Sequence, residues 1–326
     1  MTTRPSVKSY LSALLAPNRY KRLSGADDTV LSEIPPPTEG NFTNPSICTL
    51  GEYTFRTIRE VNYRISPWTG KYVTNGEPLS SRTWITQISP EREKPAFRAL
   101  HHKDRSKYPM GLEDARVFAW RNELWAVFSA ATWEDDFLAS KMILARISGD
   151  EIIRTIEMPS PHGSRKEKNW APLIRGDDLY FIYDLNSLEV YRWTGQELEL
   201  HNEPNEDRDG TDRLSGSSQF VRWGKDGGYI GVTHTSIQRP RRLLGLPSRI
   251  YFHRFAYIDA SLSKLHLSRP FFFQKRGIEF CAGILVSENS ITLTFGSGDC
   301  HAREIRLPST LVSNLLCLDG LKKEHS

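Results

Sequence analysis

Cysteine is scarce in this sequence of 326 residues, and its four copies form no pattern. They are Cys48, Cys281, Cys300 and Cys317, and none of them belongs to a CxxC pair. Sparse thiols without a framework argue against a disulfide-stabilised fold and against a cysteine zinc site. They favour a reducing compartment, so we expect a cytoplasmic protein that holds no metal and no cofactor.

Long hydrophobic runs are also absent. The N-terminal segment contains only the short apolar stretch YLSALLA, which cannot span a bilayer and lacks the features of a signal peptide. We expect a short amphipathic helix here that lies on the body of the protein or on a partner. A weak contact with a membrane surface is the alternative.

Several common catalytic patterns are missing as well. The sequence contains no GxSxG, no HExxH and no GxxxxGK[ST] loop. The net charge of +4 is mildly basic, which fits phosphate-bearing ligands but is too small to indicate nucleic acid. The basic run between Arg239 and Arg249 is interpreted as a solvated loop.

The sequence is rich in short strands made of aromatic and β-branched residues. A polar or glycine start, an apolar strand, a charged turn and an aromatic strand recur five times at intervals of roughly fifty to seventy residues. The five units begin near Asn44, Gly111, Asn169, Gly216 and Glu279. This repetition predicts an all-β fold, a five-bladed β-propeller with short terminal helices. A β-sandwich would not need a polar cluster at the start of each unit.

The same pattern divides the chain into three parts. We expect an N-terminal helix and proline-rich lead-in over residues 1–40, a propeller catalytic domain over 41–308 and a C-terminal helical tail over 309–326. In a propeller the inner strands line a central funnel, so residues at the starts of different units converge on one site.

The segment GLEDARVF, Gly111–Phe118, has more charge than a turn requires. In a regular strand Asp114 and Arg116 lie on one face and Glu113 on the other. Spacing alone is compatible with a local ion pair between Asp114 and Arg116. It also predicts that Glu113 and Asp114 do not face the same pocket.

This segment resembles the Gly-x-Glu-Asp-Pro-Arg signature of glycoside hydrolase family 130, with Ala115 in the proline position. Four further segments resemble the family's other blade motifs in the same order: NPSI with RTIREVNYRI, EKNWAPL, SGSSQFV with GVTHTSI, and TFGSGDCHAREIRL. The match extends from about Asn44 to Leu307. The family and its relatives include β-mannoside phosphorylases and the β-mannosyltransferases of glycosyltransferase family 108.

The resemblance implies a role for particular residues. It makes Asp114 the proton donor. It places Asn44, Arg59, Glu113, Arg116, Asn169 and Asp299 at the substrate. It assigns phosphate binding to Arg64, Lys168 and His234.

Simpler interpretations of some of these residues stay open. Asn44 precedes Pro45, which favours an extended backbone, and its side chain suits an Asx turn. Asp299 follows GSG and either binds sugar or caps a glycine turn. His234 is either a ligand or a buried core histidine.

The resemblance implies an enzyme that transfers a β-mannosyl unit with inversion. We favour a β-mannosyltransferase with a nucleotide-sugar donor and an oligosaccharide acceptor. A phosphorylase that forms mannose 1-phosphate is the alternative. A hydrolase would need a second carboxylate, for which Glu279 or Asp184 would serve. A non-catalytic glycan-binding propeller is a further possibility. We expect no nucleic-acid partner.

Overall fold

The computed structural model describes residues 7–15, 20–66, 68–89, 96–103, 105–134, 137–205, 213–240 and 246–316. Its two α-helices are α1 (Val7–Leu15) and α2 (Ser309–Leu316), and two short 3-10 helices lie at Leu23–Gly25 and Arg105–Lys107. The first thirteen strands are β1 (Lys21–Arg22), β2 (Val30–Glu33), β3 (Asn41–Leu50), β4 (Tyr53–Val61), β5 (Arg64–Ile65), β6 (Tyr72–Val73), β7 (Ser81–Ile88), β8 (Arg98–Ala99), β9 (His101–His102), β10 (Leu112–Trp120), β11 (Glu123–Glu134), β12 (Phe137–Ser148) and β13 (Glu151–Glu157).

The remaining strands follow in the same way. They are β14 (Ala171–Arg175), β15 (Asp178–Asp184), β16 (Glu189–Trp193), β17 (Leu198–Leu200), β18 (Ser215–Gly216), β19 (Val221–Arg222), β20 (Tyr229–Gln238), β21 (Arg249–Ile258), β22 (Leu265–Leu267), β23 (Phe271–Phe272), β24 (Glu279–Val286), β25 (Ser290–Ser297) and β26 (His301–Pro308). The protein is all-β with a propeller arrangement and few helices.

Four sheets have the regular form of a blade, in which successive antiparallel strands lie side by side. Their orders are β3-β4-β7-β8, β10-β11-β12-β13 with β9 at the outer edge, β14-β15-β16-β17, and β24-β25-β26-β2. We call them the first, second, third and last sheets. The small pair β5-β6 forms a hairpin of its own.

The seven-stranded sheet departs from this form, so the structure has four regular blades and not the five predicted. Its inner side consists of two short strands, β18 and β19, which both pair with β20. Between them, the N–H groups of Ser217 and Ser218 donate to the same carbonyl, that of Val232, at 3.2 Å. The Phe220 N–H then donates to Pro172 of the third sheet. The strand is therefore interrupted where it turns towards its neighbour.

The sheets form a ring through contacts between their first strands. β3 contacts both β10 and β24, β10 contacts β14, and the seven-stranded sheet contacts the third and last sheets. Hydrophobic clusters fill the spaces between neighbouring sheets. One example contains Ile85, Val117 and Phe128 between the first and second sheets, and another contains Phe255, Phe273 and Phe295 between the seven-stranded and last sheets. The core is thus divided among these spaces, which leaves the axis available for polar groups.

The ring is closed by the N-terminal lead-in. β2 pairs antiparallel with β26, and Val30 lies opposite Arg306. Because β26 is the last strand that the structure describes, the two ends of the propeller complete one sheet.

Turn chemistry explains why the hairpins form where the sequence predicts them. Trp120 pairs with Glu123, so Arg121 and Asn122 form a two-residue turn. Both have positive φ, 53° and 59°, as a type I′ turn requires. The Arg121 guanidinium lies 4.8 Å from the Trp120 ring centroid, which helps to hold this turn in place.

A short helix lies near each end of the described chain, and α1 lies on the body of the protein. The part of the predicted C-terminal tail after Leu316 lies outside the described residues. Tyr10 and Ala13 are buried in a cluster with Ile250 and Phe252. The apolar face of α1 therefore packs on the protein, and the alternative interpretation, a weak membrane contact, receives no support. No described helix is long and apolar enough to cross a membrane. Cys48, Cys281 and Cys300 are unpaired, and Cys317 lies outside the described residues.

Candidate functional site

A polar cavity of about 580 Å³ lies where the sheets meet. Side chains from the first, second, last and seven-stranded sheets line it, as do the segment just before the third sheet and parts of the β5-β6 hairpin. Eight of the ten predicted site residues are among them: Asn44, Arg59, Glu113, Asp114, Lys168, Asn169, His234 and Asp299. Residues separated by as many as 255 positions are therefore brought together, as convergence of strand starts predicts.

Four of these residues share an uncommon backbone conformation. The φ angles of Asn44, Asp114, Asn169 and Asp299 are 47°, 52°, 64° and 55°. Asn and Asp tolerate this left-handed region better than other side chains that carry a Cβ. The positive φ of Asn44 contradicts the extended backbone expected before Pro45. The shared conformation indicates that the ring presents these polar side chains through a repeated local kink.

The kink at Asp114 changes which way its neighbours point. The pairing of β10 with β11 shifts register between Glu113 and Arg116, which is a β-bulge. A regular strand would direct Glu113 and Asp114 to opposite faces. The bulge directs both towards the cavity instead, so the expectation that they face different sides was wrong.

Arg59 joins these two carboxylates. Its Nη2 donates to Glu113 Oε1 at 2.7 Å, and its Nη1 donates to Asp114 Oδ1 at 3.0 Å. Asn44 Nδ2 also donates to Asp114 Oδ1, at 2.7 Å. Both bonds end on one oxygen, which leaves Asp114 Oδ2 without a hydrogen-bond partner among the described residues. That oxygen is free to meet a ligand.

The three carboxyl groups of the cavity differ in acidity. Burial tends to raise the pKa of Asp114, but Arg59, Arg116 and the Asn44 hydrogen bond together hold it below the usual value. Burial raises the pKa of Glu113 despite Arg59. Burial also raises the pKa of Asp299 to about 6, with the Asp114 and Glu113 charges adding to the rise. Asp114 is therefore ionised at neutral pH, whereas Asp299 titrates closer to neutral pH than an ordinary aspartate does.

Arg116 lies directly behind the cavity and does not form the local ion pair with Asp114 that spacing alone allowed. It is 1% exposed, and its Nε donates to the Ser217 carbonyl at 2.9 Å. Its Nη2 donates to Asn169 Oδ1 at 3.0 Å, and its guanidinium lies 5.3 Å from the Phe280 ring centroid. Arg116 therefore fixes Asn169 and connects three sheets, while its charge still acts on Asp114.

The cationic side of the cavity differs from the sequence-based expectation. Lys168 lines it and is exposed. His234 also lines it, but burial and the Arg116 charge lower its pKa to about 3, so it is neutral. Its Nδ1 shares a 2.8 Å hydrogen bond with Ser217 Oγ, which leaves Nε2 to interact with a ligand. Arg64 is exposed on the β5-β6 hairpin and does not line the cavity.

Sequence reasoning missed Arg249, a cavity-lining cation. It begins β21 and carries one end of the basic run that was interpreted as a solvated loop. Its pKa is raised, because the nearby hydroxyl of Tyr251 and the Asp299 charge outweigh the effect of burial. The signal available in the sequence was the strand pattern that begins immediately after Arg249.

The two carboxylates considered for a hydrolase lie elsewhere. Glu279 is fully buried and accepts the N–H groups of Phe273, Gln274 and Lys275, so it stabilises a turn. Asp184 lines a neighbouring pocket, where it accepts a hydrogen bond from Arg213 at 3.2 Å. Neither lines the central cavity. No group of three or more described His, Cys, Asp or Glu side chains could hold a metal ion.

No family model matches the sequence, and no curated protein matches it. Solved structures match its fold. β-1,2-Mannobiose phosphorylase from Listeria innocua has a TM-score of 0.55 at 11% identity, over 89% of this chain and 99% of that one. A structure from work on the GH130 family, whose mannoside phosphorylases include hydrolases that target β-1,2 mannosidic linkages in Candida mannan, scores 0.53 at 12% identity, over 89% and 94% of the two chains.

A glycosyl hydrolase from Bacteroides ovatus gives similar values, a TM-score of 0.53 at 11% identity over 89% of this chain and 94% of that one. At such low identity, these similarities establish the fold and no more. A nucleotide-sugar transferase, the activity favoured from the sequence, receives no support from these structures. The structures themselves are described as a phosphorylase and as glycoside hydrolases.

Proposed function

We propose that this chain is a carbohydrate-active enzyme that cleaves a β-mannoside by phosphorolysis with inversion. The observation that carries the proposal is the composition of the axial cavity, where Asp114 lies with two further carboxyl groups and with cations from three sheets. The activities of the structural neighbours support mannoside as the substrate class.

The cavity chemistry suits this reaction in two ways. Lys168 and Arg249 have no carboxylate ion pair among the described residues, so they can hold a phosphate dianion. Arg59 is occupied by Glu113 and Asp114 and serves to orient them. Neutral His234 can donate one hydrogen bond to a phosphate oxygen but adds no charge.

In the proposed reaction one bond forms at the anomeric carbon and one breaks. A phosphate oxygen attacks the anomeric carbon while the glycosidic C–O bond on the opposite face breaks, and Asp114 supplies the proton that the leaving oxygen gains. Asp114 must be protonated for this step. Phosphate adds negative charge to the cavity, and a sugar hydroxyl can replace a hydrogen bond from Asn44 or Arg59. Both changes raise the pKa of Asp114. Asn44, Asn169 and Asp299 are proposed to bind the sugar.

Hydrolysis is the second candidate. Phosphorolysis requires one carboxylic acid, whereas this cavity contains Glu113, Asp114 and Asp299. A surplus carboxylate could activate water as a general base.

The seven-stranded sheet is proposed to be an elaborated fifth blade. It contributes His234, Arg249 and Tyr251 to the cavity, in the way that each regular blade contributes its own residues. Its irregular inner strand would then be a local variation within a five-part ring.

Product analysis tests the proposed function. Purified protein is given β-1,2-mannobiose with and without inorganic phosphate, and the products are followed by NMR. We expect phosphate-dependent formation of α-mannose 1-phosphate and its loss in Asp114→Asn. Asp28→Asn is the matched control, because Asp28 also has positive φ, 58°, but is exposed and outside the cavity.

The other outcomes identify the other functions. Mannose formed without phosphate would indicate a hydrolase, and elongation that requires GDP-mannose would restore the transferase. Binding of mannosides without turnover in any condition would indicate a non-catalytic propeller.

A further inference from the structure

Exposed aromatic side chains are concentrated on one hairpin. The aromatic hairpin comprises residues 64–66 and 68–73, which include β5 and β6. Trp68 is 68% exposed and Tyr72 is 55% exposed, and Tyr53, which lies elsewhere, is less exposed than either. Leaving two large rings in water forgoes the free energy of burying them, so this surface has a possible use in binding.

The hairpin lines one part of the cavity and is held against the seven-stranded sheet. Arg239 Nη2 donates to the Trp68 carbonyl at 3.0 Å. A Cβ added to Gly70 would lie 2.7 Å from Ser248 Cβ. The hairpin therefore packs closely on the residue that directly precedes Arg249. These contacts connect an insertion of the first sheet to the seven-stranded sheet. The aromatic surface therefore has a defined position relative to the cavity.

Tyr72 connects this surface to the proposed sugar site. Its ring lies 4.6 Å from the ring of Tyr63, centroid to centroid, at an interplanar angle of 55°. The Tyr63 hydroxyl in turn donates to Asp299 Oδ2 at 3.5 Å. Both tyrosines line the cavity, but Tyr63 is buried and Tyr72 is not. An exposed ring is thus two contacts away from a carboxylate that is proposed to hold sugar.

The surroundings of Tyr72 have the chemistry of a sugar subsite. A pyranose ring has an apolar C–H face, which packs against aromatic rings, and a rim of hydroxyl groups. In the same cavity, Ser236, Gln238, Ser248 and Arg249 offer hydroxyl, amide and guanidinium groups to that rim. Pockets commonly combine an aromatic wall with a few polar groups in this way.

We propose that Tyr72 forms the wall of a second sugar subsite, which takes the pyranose ring next to the one bound at Asp114 and Asp299. This inference rests on the proposed function and deepens it, because it makes an oligosaccharide the substrate. The hairpin acts in binding and takes no part in bond cleavage.

The dependence of binding affinity on ligand length tests whether Tyr72 forms a second sugar subsite. Binding of methyl β-mannoside, β-1,2-mannobiose and β-1,2-mannotriose is measured by calorimetry for the wild type, Tyr72→Ala and Tyr72→Phe. We expect Tyr72→Ala to weaken mannobiose and mannotriose binding about tenfold, a loss typical of one aromatic contact. Methyl β-mannoside binding should change less than twofold, and Tyr72→Phe should behave as the wild type does. Tyr53→Ala controls for removal of an exposed ring elsewhere.

Four results would overturn the inference. Equal weakening for all three ligands would mean that Tyr72 only supports Tyr63 and Asp299. An unchanged affinity for every ligand, with wild-type turnover intact, would reject the subsite while leaving the proposed function standing. If the wild type binds no mannoside, both proposals fail. A change of oligomeric state in Tyr72→Ala, measured by light scattering, would instead identify the hairpin as a self-association surface.

Discussion

Asn44 and Asp114 are 70 positions apart in the sequence and are joined by a 2.7 Å hydrogen bond from Nδ2 to Oδ1. The Asn44 Oδ1 accepts from its neighbour Thr43 at 2.9 Å, so both ends of the Asn44 amide are used. The amide cannot rotate without breaking one of these bonds. Asn44 therefore fixes one oxygen of Asp114 and leaves the other available.

Removing this bond is expected to raise the pKa of Asp114, because the Asn44 hydrogen bond helps to hold it low. Asn44→Gly is the suitable change, since glycine accepts the positive φ of 47° without strain. Titration of the Asp114 carboxyl carbon by NMR measures the shift, and Asn122→Gly in the turn between β10 and β11 is the control. An unchanged Asp114 titration would show that Asn44 does not act on Asp114.

Asp299→Asn is expected to change how stability depends on pH. The folded-state pKa of Asp299 is raised to about 6, so its contribution is fully present below its unfolded pKa near 4 and is lost as pH rises through about 6. Asparagine keeps the positive φ and removes the titration. The variant should gain about 2 kcal/mol relative to the wild type between pH 4 and pH 7. Urea unfolding at both pH values measures this, and a constant difference would contradict it.

Arg59→Met is expected to destabilise the fold by about 3 kcal/mol or more, because it leaves Glu113 and Asp114 close together without their cation. Adding Glu113→Gln and Asp114→Asn to this variant should restore much of the loss. Arg59→Lys keeps the charge but cannot bond both carboxylates in the same way, so an intermediate effect is expected. Equal stability of the single and triple variants, measured by thermal unfolding, would argue against electrostatic repulsion as the cause.

Gly296→Ala tests how closely the last and first sheets approach. An added Cβ would lie 2.1 Å from both Asn44 Oδ1 and Thr43 Oγ1, so Asn44 must move. We expect a loss of about 1–3 kcal/mol in unfolding free energy together with reduced activity. Gly25→Ala is the control, because nothing lies within 4 Å of its added Cβ. A fully active Gly296→Ala protein would show that the position of Asn44 is unimportant.

The hairpin pattern could be predicted because it depends on local properties. Turn residues such as Arg121 and Asn122 and the alternation along β20 are readable over a few positions. The direction of Glu113 could not be read in this way. Alternation assumes a regular strand, and the bulge at Asp114 depends on pairing with β11. The regularity of a blade also depends on tertiary pairing, as the contact between Phe220 and the third sheet shows.

Tertiary structure also determines which cationic side chains reach the cavity. Arg59 and Arg64 occur in one short segment, yet Arg59 lies within β4 and Arg64 follows its end. Only the first is directed to the axis. Arg249 reaches the cavity because β21 begins there, and a composition-based interpretation of the basic run could not show this.

Because β2 pairs with β26, the ring can close only late in synthesis. Val30 leaves the ribosome 276 residues before its partner Arg306, so the N-terminal strand waits unpaired while almost the whole propeller is made. Asp299, which precedes β26, is also among the last residues to arrive. A nascent chain would therefore gain its complete cavity only when the ring closes. Newly made protein has no finished site to use before that moment.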